Sequence, residues 1–296
     1  MESTEILDAV SVISAILVLG YASLLDLRTR RVGNVPWIIL SAIGVALLLS
    51  RLFVDEAPLE YVLILVPVAA ILGDVYVTSG EGGTFARFAP YMEYGIAAVS
   101  ILVLGYMWGD EEYFRHVLAV PVMMLVIVLF YILDIVRGGA DAKALLALTI
   151  LFPFYPDFES IPLISVPDDS STLLFPFSFI VLVMAAIIVA LLPAGFLARN
   201  MLKGEVALPY AALGYMMDSD KARGRHVWLM ERMEGGQHVF HTRPKRKEDL
   251  HKELGLLEEA GHKRVWVTPK IPFIPMILAG VLFVTIVGNI FFILFQ

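Results

Sequence analysis

The chain has 296 residues, of which 58% are hydrophobic and only 17% charged, and its mean hydropathy is +0.78. Soluble domains average roughly 45–50% apolar and about 25% charged, so the composition excludes a soluble enzyme, a coiled coil and a disordered chain. The formal charge of −7 argues against nucleic-acid binding, and the absence of cysteine excludes disulfides, cysteine zinc sites, iron–sulfur clusters and a cysteine nucleophile.

A helix needs about 20 mostly apolar residues to cross about 30 Å of hydrocarbon. Candidate spans run at about 6–25, 36–54, 60–78, 90–108, 115–136, 142–154, 172–195 and 271–294. The first does not read as a cleavable signal peptide, because Glu2, Glu5 and Asp8 open it without a basic residue. The sixth is short and meets Pro153 and Pro156, which predicts a kinked, tilted or half-inserted helix. The predicted fold class is therefore an all-α polytopic membrane protein of about eight transmembrane segments, carrying a small α+β appendage. Its expected divisions are a transmembrane domain over 1–195, a polar appendage over 196–270 and a final helix over 271–296.

Charge orients the spans. Cytoplasmic loops collect Lys and Arg in short connections near the membrane. With the N-terminus outside, the inner segments hold Arg28, Arg30, Arg31, Arg87, Arg137, Lys143 and all the basic residues of 196–270, which is 20 of the 22. Only Arg51 and Arg115 fall outside, beside acidic loops such as Asp110-Glu111-Glu112.

Within 196–270, Arg225 to Met230 and His238-Val239-Phe240 are β-prone and flank Glu234-Gly235-Gly236, which reads as a hairpin turn. Leu250, Leu254 and Leu257 share one helical face, so 246–260 is a predicted amphipathic helix that Gly261 stops. Arg264-Val265-Trp266-Val267 predicts another strand. His238 and His241 would point to opposite faces of a strand, so no metal site is predicted there. The basic run Arg243-Pro244-Lys245-Arg246-Lys247 reads as a solvated loop in preference to a contact with anionic headgroups. Membrane lipid is expected around the spans themselves. The appendage is too small for a second enzyme core, and docking or a lid role suits it better.

Ionisable groups within spans are expensive and mark function. Five carboxylates qualify and share the inner half of the bilayer on this topology: Asp26, Asp74, Glu93, Asp134 and Asp141. Two carboxyls sharing a proton can run acid–base chemistry, because burial and like charge drive their pKa values apart. The residue types alone do not choose the pair. Asp74 follows Gly73 but lacks a Gly-rich lead and a following Lys, which favours a hydrogen-bonding role within the bundle. Asp134, on the preceding span, reads as structural or supporting, and Glu93 as interfacial.

Two segments stand out. Arg137-Gly138-Gly139-Ala140-Asp141-Ala142-Lys143 places small residues before an acid that opens a helix. Asp26-Leu27-Arg28-Thr29-Arg30-Arg31-Val32-Gly33-Asn34 places an acid at a span end before a basic turn. Together they resemble the archaeal preflagellin and prepilin peptidases, the GxGD-type aspartyl membrane proteases that process class III signal peptides. The closing Val267 to Pro275 run also looks like the C-terminal region of the archaeal members. The resemblance implies a catalytic Asp26–Asp141 dyad. It makes Gly138, Gly139, Ala140 and Lys143 motif or supporting positions, and Arg28, Arg30 and Asn34 flanking ones. Ala140 stands where the motif carries its second glycine.

The resemblance further implies an aspartic endopeptidase without metal or cofactor. Its substrates would be prepilin-like or preflagellin precursors, cut at the cytoplasmic membrane face. Two alternatives are weaker. A presenilin or signal-peptide-peptidase type needs Tyr before one Asp and a Pro-Ala-Leu motif, and neither occurs. A proton-coupled transporter relaying through Asp74, Glu93 and Asp134 predicts inverted repeats, which the sequence does not display.

Overall fold

The computed structural model describes residues 3–77, 84–164, 174–242 and 249–294. The chain divides into two compact units, Met1–Ala186 with Pro272–Gln296, and Ile187–Ile271.

The first unit is helical: α1 Ser3–Thr29, α2 Val35–Val54, a 3-10 turn Leu59–Ile64 leading into α3 Leu65–Val77, α4 Thr84–Trp108, α5 Glu112–Ile132, α6 Gly139–Leu151, the start of α7 Phe177–Leu202, and α11 Ile274–Ile286 with a closing 3-10 turn. Among the described residues six helical stretches are long and apolar enough to cross a membrane: 3–29, 35–54, 59–76, 112–132, 177–202 and 274–293. The apolar part of α4, Tyr94–Trp108, is shorter. Proline sets two of the starts, at the first turns of α2 and α11, where its missing N–H leaves nothing unsatisfied.

The sixth predicted span is the short helix α6. Its 13 residues reach about 20 Å at 1.5 Å per residue, less than the hydrocarbon thickness. Every residue from Ala144 to Leu151 is buried. A helix apolar on all sides belongs inside a bundle, and α6 lies against α1, α2, α5 and α11. Gly44 on α2 permits the closest of these approaches. A Cβ there would sit 3.0 Å from the Leu151 backbone nitrogen and 3.1 Å from Ile150 Cγ2.

At the N-terminal end of α1, polar groups join four segments. Arg51 Nη1 donates to Asp8 Oδ1 at 2.6 Å, the Asp157 N–H to Asp8 Oδ2 at 3.2 Å, and the Tyr113 hydroxyl to Asp55 Oδ2 at 2.8 Å. Arg51 also lies over the Phe154 ring at 4.6 Å. Charges this deep in a bundle persist only when paired and hydrogen-bonded.

The second unit contains the end of α7, short helices α8 Tyr210–Leu213 and α9 Ser219–Arg223, the longer α10 Leu250–Glu259, and five strands: β1 Tyr215–Asp218, β2 Val227–Leu229, β3 Glu231–Glu234, β4 Gln237–Phe240 and β5 Arg264–Pro269. One antiparallel sheet has the order β1-β5-β2, and β3 pairs with β4 in a second. The predicted hairpin exists, but with a different first strand. Residues 227–229 pair with β5 instead, and Glu234 faces Gln237 across the turn. Gly235 and Gly236 have φ of 58° and 83°, the pair of positive values that a two-residue type I′ turn requires. Such a turn pairs the residues flanking it immediately, which recruits Glu231–Glu234.

The predicted helix appears over Leu250–Glu259, capped by Asp249, whose side chain accepts from the His251 and Lys252 N–H groups. Leu254 and Leu257 are fully buried, and Gly261 ends the turn at φ 90°. Arg243 to Lys247 lie outside the described residues. Buried Asn200 ties the end of α7 to the approach to β1, donating to the Ala211 and Gly214 carbonyls at 2.8 and 2.7 Å.

Glu231 is the buried carboxylate of this unit, 3% exposed. It accepts from the Trp266 N–H at 2.5 Å and meets His238 Nε2 at 2.8 Å, and the His238 ring contacts that of His262. Burial is the largest influence on Glu231 and pushes its pKa up, against the pull of its hydrogen bonds. A raised acid binds its proton more tightly in the folded state. The stability it supports is present below the ordinary glutamate range and declines as pH rises through the raised value. Glu231→Gln retains an oxygen acceptor for Trp266, and should flatten that decline. Hydrogen exchange at the Val265 and Val267 amides, corrected for intrinsic pH dependence, reads the slope in each protein.

Candidate active site

The α1–α2 turn builds one half of the site. Asp26 lies in the last turn of α1, half-buried, and its carbonyl accepts the Arg30 N–H at 3.1 Å. Arg30 takes φ 57°, a left-handed conformation that halts a helix. Arg28 is exposed, whereas Arg30 is half-buried. Four residues later Asn34 precedes α2 and accepts the Trp37 and Ile38 N–H groups on its carbonyl.

The α5–α6 connection builds the other half. Helix α5 stops at Ile132, and Asp134 takes φ 62° in the following turn. Asp134 is exposed there, beyond the helix instead of on the predicted span, and its carbonyl accepts from Arg137 Nε at 3.3 Å. Gly138 is extended and precedes α6, which places half-buried Asp141 in that helix's first turn. The free N–H groups and the dipole of a helix start favour an anion there. The Asp141 carboxyl folds back over Gly138 so closely that a Cβ at Gly138 would lie 2.0 Å from Asp141 Oδ2. At Gly139 the same construction meets nothing nearer than the Tyr131 hydroxyl, at 3.6 Å. None of Gly138, Gly139 and Ala140 has a positive φ, so alanine at 140 meets the backbone requirement.

The two halves are joined. Lys143 Nζ donates to Asn34 Oδ1 at 2.8 Å, across 109 residues of sequence. The same ammonium lies over the Tyr76 ring on α3, 5.5 Å from its centroid, a cation–π geometry. Burial is the larger influence on Asp141, and Asp26 lies near enough to act on it as a like charge. The sequence-predicted residues Asp26, Asn34, Gly138, Asp141 and Lys143 therefore share one end of the first unit.

The other carboxylates are disposed differently. Asp74 accepts a hydrogen bond from the Tyr94 hydroxyl at 3.1 Å, linking α3 to α4. Glu93 lies in α4, where its side chain falls outside the described residues. Tyr76 and Tyr131 carry no signal in the sequence. A tyrosine in an apolar helix is ordinarily an interface residue, and only the folded contacts bring these two beside the motif.

No curated protein matches the chain. Residues 206–290 match the family described as Archaeal Peptidase A24 C-terminus Type II. This segment covers the whole strand region and α11, and lies apart in sequence from Asp26 and Asp141. The peptidase A24 family implies a protease. The match over 206–290 supports an archaeal preflagellin peptidase family for this chain.

Proposed function

We propose that the protein is a membrane aspartyl endopeptidase that removes the basic leader from prepilin-like or preflagellin precursors, with Asp26 and Asp141 as its acid–base pair. The ionised carboxylate takes a proton from a water molecule, whose oxygen attacks the scissile carbonyl carbon. The protonated carboxyl gives its proton to the carbonyl oxygen. When the tetrahedral intermediate collapses, the C–N bond breaks and a proton passes to the departing amine. Water supplies every atom that is added, so the step needs no further reactant.

The observation that carries this reading is the Lys143–Asn34 hydrogen bond. It fastens the segment around Asp141 to the turn that follows Asp26, and the like-charge action of Asp26 on Asp141 supports the same pairing. The distribution of Lys and Arg supports an N-terminus outside the cell and a dyad facing the cytoplasm. A dyad at that edge cuts beside the hydrocarbon, so the charges of the leader stay in water.

Membranes containing the full chain should cleave a precursor with a short basic leader ahead of a hydrophobic helix, at the leader–helix junction. Asp74→Asn should retain at least half of that activity, because asparagine keeps an oxygen acceptor for the Tyr94 hydroxyl. Cleavage inside the hydrophobic helix, or loss of activity in Asp74→Asn alone, would count against the proposed pair. Mass spectrometry of the products reads both outcomes.

A further inference from the structure

The second unit contains a cavity of about 500 Å³ at the end of α7. Half of its ten lining residues are basic: Arg199, Lys203, Lys221, Arg225 and Arg264. Among the described lining residues Asp218 is the only acid, and it is engaged by Lys221 at 2.6 Å and Arg264 at 3.9 Å. Arg264 is further held by Glu205. The charges without a carboxylate partner among the described residues are Arg199, Lys203 and Arg225.

Arg199 is positioned, not free-swinging. Its guanidinium lies over the Tyr215 ring at 4.3 Å, and its Nη1 is buried with no hydrogen-bond partner among the described residues. A buried donor without an acceptor costs energy that an incoming acceptor recovers. A planar guanidinium held by an aromatic face presents paired N–H groups to a phosphate or carboxylate. Two further cations at the same cavity favour the more highly charged phosphate.

The cavity also has an apolar side, made by Phe196 and Met216. It opens where a 26-residue apolar helix ends, since Arg199 sits in the last turn of α7 and Lys203 directly after its end. That is headgroup depth for a span of this length. A basic leader peptide would be repelled here, so the cavity is unsuited to the proposed substrate, and the inference stands whether or not the peptidase reading does.

We propose that this cavity binds a phosphate-bearing anion, supplied either by an anionic lipid headgroup or by phosphate free in solution. The test uses the full chain in nonionic micelles, titrated with dihexanoyl-phosphatidylglycerol, dihexanoyl-phosphatidylcholine or inorganic phosphate, and binding is read by calorimetry. Phosphatidylglycerol, inorganic phosphate or both should bind at least tenfold more tightly than phosphatidylcholine, and added salt should weaken them. Tighter phosphatidylglycerol assigns the site to lipid, and equal or tighter inorganic phosphate assigns it to the soluble anion.

Arg199→Gln should weaken binding tenfold or more. Because Arg199 also stacks on Tyr215, the exposed pair Lys203→Gln with Arg225→Gln provides a variant that leaves this packing intact. It should produce a similar loss without moving the melting temperature of the unliganded protein. Failure of both anions to bind, equal affinity for phosphatidylcholine, or unchanged binding in the double variant overturns the proposal.

Discussion

With Asp26 and Asp141 as the proposed pair, Asp26→Asn and Asp141→Asn should each reduce leader cleavage by about 10³-fold or more, the scale of a lost general acid–base step. Asparagine keeps the size and hydrogen-bonding reach of aspartate but cannot take up or release the catalytic proton. The loss should therefore fall on turnover, with melting temperature and membrane insertion unchanged. The double variant gives the sharper outcome. If the carboxyls act as a unit, removing the second adds almost nothing to removing the first. Multiplying losses in the double variant would mean that the two groups work separately, and the proposed mechanism would fall. Quantified cleavage of a precursor in membranes measures all three proteins.

With Asp141 in the proposed role, Gly138→Ala should lower turnover by roughly 10- to 100-fold, because displacement of a reacting group by about 1 Å has effects of that order. A methyl group at 138 would occupy space 2.0 Å from Asp141 Oδ2 and 2.7 Å from its Cγ. Gly138 has φ −91° and ψ 121°, a conformation open to alanine, so the backbone can stay and the carboxyl must swing away. Gly139→Ala is the matched control, because its added methyl meets its nearest neighbour at 3.6 Å. It should keep nearly full activity. Initial rates at saturating substrate separate the two variants, and equal losses would show that the small residues serve chain flexibility instead of room for Asp141.

Hydropathy and charge make the membrane bundle legible in the amino-acid order itself, because lipid demands long apolar helices and those are local features of a chain. The short α6 is visible there as an anomaly. Its cause is not, since burial on all sides depends on neighbours such as Gly44, about a hundred residues away. The hairpin shows a similar division. Gly235-Gly236 reveals the turn, but Val227–Leu229 and Glu231–Glu234 have comparable strand character, and only the partner strand β5 decides between them. At the candidate site the acids and small residues are readable from motif resemblance. The Lys143–Asn34 bond and the Tyr76 ring beneath the ammonium are not, because they join segments remote in the chain.

The Asp8–Arg51 ion pair has a mechanical consequence for the opposite end of α1. It pins that helix 18 residues before Asp26, a lever arm of about 27 Å at 1.5 Å per residue. A tilt of only about 2° around such a pivot carries Asp26 through about 1 Å, on the same helical geometry. On the proposed dyad, the spacing of the two acids would be geared to the polar contacts at the far end of this helix.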